Sequence, residues 1–209
     1  MKTFKLQISG FALLLASLLT STAYGQITPL GDSYTNTAEP AINNGDKMSL
    51  QVDSASQITY IQFPLSSIPA GATVSQATLK LFVSSVTNVG SFNVDYVKGP
   101  WSESVITSEL APALGSVIAS NVFVTSEARN QYILINITPA VKAWLNGSEP
   151  NNGIALVAND AFSASFDSKE NTATGHSPEL DVVLATAGNL QWNGSVSYTH
   201  LTLPTILLV

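Results

Sequence analysis

From Ile27 onward apolar residues alternate with polar ones, the pattern of strands that bury one face. Met48-Ser-Leu-Gln-Val-Asp53 alternates without a fault. Ile61, Phe63 and Leu65 share one parity in the next run, as do Ala77, Leu79, Leu81 and Val83 in the one after. Phe92, Val94 and Tyr96 follow, with Asn93 and Asp95 on the other side. Ile133, Ile135 and Ile137 repeat the pattern, and so do Leu180, Val182 and Leu184. Turn sequences separate these runs: Asn43-Asn44-Gly45-Asp46, Pro69-Ala-Gly71, Val89-Gly90, Gly99-Pro100 and Asn151-Asn152-Gly153. About nine or ten short strands at such spacing predict an all-β fold, an antiparallel β-sandwich of jelly-roll type.

One segment breaks the two-residue period. Thr138 is placed to N-cap a helix, Pro139 suits its first turn, and Val141, Trp144 and Leu145 fall on one face. Gly147 is placed to end it in a left-handed conformation. The spacing predicts one short helix over about 138–146, held by packing because two turns are not stable alone in water. Trp144 then plugs one end of the core.

Both ends of the chain read differently from its middle. Lys2 and Lys5 precede the apolar run Phe11–Leu19, and Ala23-Tyr24-Gly25 offers small residues at a cleavage site, so residues 1–25 are expected to be a signal peptide cut between Gly25 and Gln26. The run is too short to span a bilayer, which takes ~20 apolar residues. A secreted or cell-surface protein is expected. The domain is expected over 26–188. Residues 189–209 read as linker and a non-native tail, since Ser195–Val209 resembles a translated sequencing adapter; the natural protein is then expected to continue into further domains.

Composition narrows the chemistry. Charged residues are 11% of the chain, against about 25% in globular proteins, and polarity comes from Ser, Thr and Asn. Without Cys there are no disulfides or thiolate metal sites. Loss of Lys2 and Lys5 leaves six basic against fourteen acidic residues, a net charge of −8. That sign disfavours nucleic acid and acidic polysaccharides and leaves neutral glycans as candidate partners.

Catalytic patterns are scarce. His176 lies in a loop, His200 in the tail, and no GxSxG, HExxH, Walker or GxGxxG sequence occurs. Glu103, Asp167 and Glu170 are the carboxylates that a glycosidase-like pair would draw on. No catalytic residue and no cofactor are assigned, apart from a weak structural calcium candidate in the turn of Asn43, Asn44 and Asp46. A stronger signal is aromatic parity. Tyr60, Phe82 and Tyr132 oppose the core parity, beside Gln62, Lys80 and Asn136. Sugars present flat C–H faces to aromatic rings, so Tyr60, Phe82, Tyr132, Asn93 and Asp95 are the expected carbohydrate platform. Trp101 is expected to pack under its own loop.

Several short motifs occur in a fixed order: GPWSESVIT (99–107), ITPAVKAWLNG (137–147), NNGIALV (151–157), FDSKE (166–170) and SPELDVVL (177–184). With Asp32-Ser-Tyr34, Asn44-Gly45, Tyr60–Leu65, Ile68-Pro69 and Ala77–Leu81, they resemble the DNRLRE-type domains of secreted bacterial surface proteins. These are disaggregatase-related β-sandwiches similar to carbohydrate-binding modules. The resemblance covers about residues 30–186. It implies an extracellular sandwich and a non-catalytic binding or adhesive role, with a structural spacer as the alternative and a glycan-active enzyme as a distant one. Some such domains bind acidic glycans, whereas this chain lacks the positive charge for that.

Overall fold

Fifteen consecutive residues, Val74–Asn88, form the longest strand among the described residues, and it pairs on both sides. The computed structural model describes residues 22–54 and 56–185. The expected signal segment up to residue 21 and the expected tail lie outside the described residues. In chain order the strands are β1 (Thr22–Ile27), β2 (Gly31–Asn36), β3 (Ser49–Asp53), β4 (Gln57–Gln62), β5 (Val74–Asn88), β6 (Gly90–Val97) and β7 (Leu114–Val124). Then come β8 (Tyr132–Asn136), helix α1 (Thr138–Asn146), β9 (Ile154–Ala158), β10 (Ser163–Asp167) and β11 (Glu179–Leu184). β1 runs across the expected cleavage point at Gly25-Gln26.

Neighbouring strands run in the order β1-β11-β5-β10-β3-β4-β9-β6-β7, with β2 added to β4 and β8 added to β5. The pairings are antiparallel. The path turns a corner between β3 and β4, which share only the pair Asp53–Gln57. Beyond that corner the sheet folds back over itself. Phe92 of β6 meets Phe166 of β10 edge-on, ring centroids 5.7 Å apart. The expected all-β sandwich is the observed fold.

The alternating residues fill the interior as expected. Leu50, Val52, Ile61, Phe63, Ala77, Leu79, Leu81, Val83, Phe92, Val94, Leu180 and Val182 are buried in one cluster. Met48 departs from its parity: it precedes β3 and is exposed. The helix occupies the expected residues, but its start differs. Ile137, not Thr138, is the N-cap residue. The Thr138 hydroxyl instead accepts the Ala77 N–H at 2.8 Å, while the Asn136 side-chain oxygen accepts the Thr138 N–H at 3.0 Å. The Asn136 side chain thus satisfies the first helical N–H from outside the N-cap, while the Thr138 hydroxyl pins the helix onto β5. Gly147 closes the helix at φ 78°, as its position predicts. Trp144 is buried and lies edge-on to Tyr96, whereas Leu145 is substantially exposed.

Candidate functional site

The outer face of β5 and β8 carries an aromatic group. Phe82 is the register partner of Tyr132, Lys80 of Leu134, and Thr78 of Asn136. Alternation sends the intervening Leu79, Leu81 and Ile135 into the core, so their neighbours face outward. Phe82 and Tyr132 meet edge-on at 5.2 Å between centroids. His176, from the loop before β11, stacks on Phe82 at 3.8 Å and stands edge-on to Tyr132 at 5.7 Å. Tyr132 is 37% exposed and Leu134 66% exposed, so the strip is open to solvent.

Charge flanks this strip. The Lys80 ammonium lies 5.2 Å from the Tyr132 ring centroid, 2.6 Å from Glu179 Oε2 and 3.7 Å from Asp181 Oδ2. The hydrogen bond to Glu179 raises the Lys80 pKa, keeping it charged. Gln26 donates to the same Glu179 oxygen at 2.8 Å. His176 Nδ1 is 3.5 Å from Asp167 Oδ2 but lacks hydrogen-bond geometry, and that oxygen accepts the Thr174 hydroxyl at 2.7 Å. Asp167 therefore serves the loop that carries His176.

The five residues expected to share one platform separate into different surroundings. Phe82 and Tyr132 come together as described. Tyr60 does not join them: it is 2% exposed and lies under Trp101, whose ring meets it edge-on at 5.9 Å. Tyr60 does lie off the main core, as its parity predicts, but the 98–113 loop covers it. With Val97, Ile106 and Ala155 it forms a second small core. Trp101 packs beneath its own loop as expected, its Nε1 donating to Asn152 O at 2.8 Å. Asn93 Oδ1 accepts from the Asn121 backbone at 2.9 Å and from the Asn159 amide at 3.1 Å, within a cluster of amides at the β6–β7 irregularity. Asp95 shares a register row with Ala155 and, through it, Tyr60. Burial raises its pKa, and its Oδ1 has no hydrogen-bond partner.

A polar node lies where β2, the 98–113 loop and the segment after β10 meet. Asp32, Glu103 and Glu170 gather there around Lys169. Burial, with the facing Glu170 carboxylate and Glu103, pushes Asp32 up to about 8 against the Lys169 N–H that lowers it. Burial works against the Lys169 ammonium, but its bonds to Glu103 and Glu170 outweigh this and raise its pKa. Glu103 and Glu170 thus share a lysine. Gly45 is required for close approach here, since a Cβ on it would lie 2.5 Å from Glu103 O. In the turn weighed for calcium, the Asn43 amide donates to Glu103 O and Ile106 O at 2.7 Å each, and its oxygen accepts the Gly45 N–H. Asn44 donates to Tyr34 O, and Asp46 is exposed beside Lys47. The two asparagine side chains build the turn and anchor the loop.

His176, Lys80, Leu134 and Glu179 were not among the expected site residues. Leu134 shares the outward parity of Tyr132, and Lys80 that of Phe82, so strand alternation alone pointed to both. No local pattern places the His176 loop over Phe82.

The model of carbohydrate-binding module family 96 matches residues 23–183, and the chain belongs to that family. No curated protein matches the chain. Among the described residues no helix is long and apolar enough to cross a membrane.

Proposed function

We propose that this protein is a secreted, non-catalytic module of a larger surface protein that holds a neutral polysaccharide, adhesively, against the β5–β8 face. The observation that carries the proposal is the exposed Tyr132 ring, braced by Phe82 and His176 beside the Lys80–Glu179 pair. The ring offers apolar area to a sugar's C–H face at low entropy cost. Glu179 and Asp181 supply acceptors, and Asn136 an amide, for hydroxyl groups on the same face. Leu134 prolongs the apolar strip beyond Tyr132, which suits the flank of an extended chain rather than its end. Two carboxylates against one ammonium make the site locally negative, consistent with a neutral ligand rather than a uronate.

A pull-down on insoluble neutral polysaccharides, with alginate as the acidic comparison, tests this. Retention on at least one neutral glycan, weakened about tenfold by Tyr132→Ala (~1.4 kcal/mol), is the expected result. Retention on alginate alone, or retention indifferent to Tyr132, would overturn it. A folded protein retained by no glycan would favour the spacer role.

A further inference from the structure

We propose that Asp32, Glu103 and Glu170 form a calcium site that ties β2 to the 98–113 loop and to the segment after β10. One carboxylate oxygen from each lies within 4.8 Å of the others. Three carboxylate oxygens that close can share one cation, and among hard cations Ca²⁺ accepts irregular oxygen geometry whereas Mg²⁺ demands a near-ideal octahedron.

Acidic clusters are common on surfaces, but this one reaches into the interior. Asp32 is 1% exposed. Its Oδ1 is buried with no hydrogen-bond partner, and so is Oε2 of the facing Glu170. The other oxygens of the set are in use. Asp32 Oδ2 accepts the Lys169 N–H at 3.0 Å, and Glu103 Oε1 accepts the Asp32 N–H at 2.9 Å. Glu103 Oε2 and Glu170 Oε1 hold the Lys169 ammonium. Asp32 Oδ1 and Glu170 Oε2 are thus left unengaged by Lys169 and by the backbone.

Charge points the same way. Three carboxylates against one ammonium leave two negative charges when all are ionised, and a divalent cation cancels them. Burying a carboxylate without compensation is costly. Backbone carbonyls or water would complete the six to eight oxygens that calcium takes. The three acids come from distant parts of the chain, so the unfolded state offers no comparable site, and binding stabilises the fold. The competing occupant is a proton shared between Asp32 and Glu170.

Thermal unfolding of the full chain after EDTA treatment, at fixed pH with and without millimolar CaCl2, separates the two. Calcium at 1 mM is expected to raise Tm by about 3 °C or more for a Kd of ~10⁻⁴ M. Magnesium should raise it less. Terbium luminescence sensitised by Trp101, two residues from Glu103, gives a second readout. Because Asp32 is buried and bonded to the Lys169 backbone, the half-buried Glu170 carries the decisive variant. Glu170→Gln should remain folded and lose both the calcium shift and the terbium signal. A wild-type Tm and terbium signal that do not respond, or responses retained in Glu170→Gln, would overturn the site. Neither outcome depends on whether the β5–β8 face binds glycan.

Discussion

Tyr60 and Tyr132 have the same place in their strands and opposite fates. Both point away from the main core, yet Tyr60 is 2% exposed and Tyr132 37% exposed. The difference lies in the loops that reach each face. After β6 the 98–113 loop carries Trp101, Ile106 and Ala111 back over β4 and β9, closing through the Lys98 N–H to Ala113 O bond. Asn43 and the Glu103–Lys169 pair pin its far side. On the β5–β8 face the described loop before β11 brings in His176, which braces Phe82 while Tyr132 stays 37% exposed. Parity thus decides which residues leave the core, while the apolar content of a neighbouring loop decides whether they meet solvent.

The largest expected effect comes from stripping the covered face. Trp101→Ala removes the lid over Tyr60 and the bond to Asn152, and should destabilise the protein by about 3 kcal/mol in urea unfolding. Glycan retention by the folded variant should be unchanged. A loss under ~1 kcal/mol would mean that the second core contributes little. On the open face the balance reverses. Tyr132→Ala should alter stability by less than about 1 kcal/mol while weakening retention about tenfold. Phe82→Ala, which removes the brace for both Tyr132 and His176, should affect binding less and stability more. Equal binding losses in the two variants would mean that the ligand sits on Phe82 itself.

Strand alternation made β3, β5, β6, β8 and β11 legible, because most of each strand buries one face, the end of β6 excepted, where Val97 turns into the second core. It also brought Phe82 and Tyr132 to the outside together. β9 hides from that test: Ile154, Ala155 and Leu156 are all buried, since the second core lies on its outer side. β7 hides for the opposite reason. Its pairing with β6 shifts register three times, and Asn121 sits at φ 53°, so inward and outward positions exchange along the strand. The polar node was legible only as separate fragments. Asp32, Gly45, Glu103 and Lys169-Glu170 each belong to a recurring motif, but local periodicity does not show that they meet. The same limit applies to Tyr60, whose cover comes from a loop some forty residues on.

The smallest expected effect probes the covered face without disturbing its packing. Asp95 lies across Ala155 from Tyr60, and its Oδ1 is buried without a partner. Burial raises its pKa, so the folded state holds its proton more tightly than the unfolded chain does. That contribution is fully present below the ordinary carboxylate value and is lost as pH rises through the folded value. An amide at this position has no charge to lose. Asp95→Asn should therefore match the wild type near pH 3 and be about 0.5–1 kcal/mol more stable at pH 7, a modest difference because the side chain is only partly buried. Urea unfolding at the two pH values measures it. If Asp95→Asn is instead the less stable protein at pH 7, the carboxylate has a stabilising partner. The outer side of β6 would then be a polar site in its own right, not the margin of the second core.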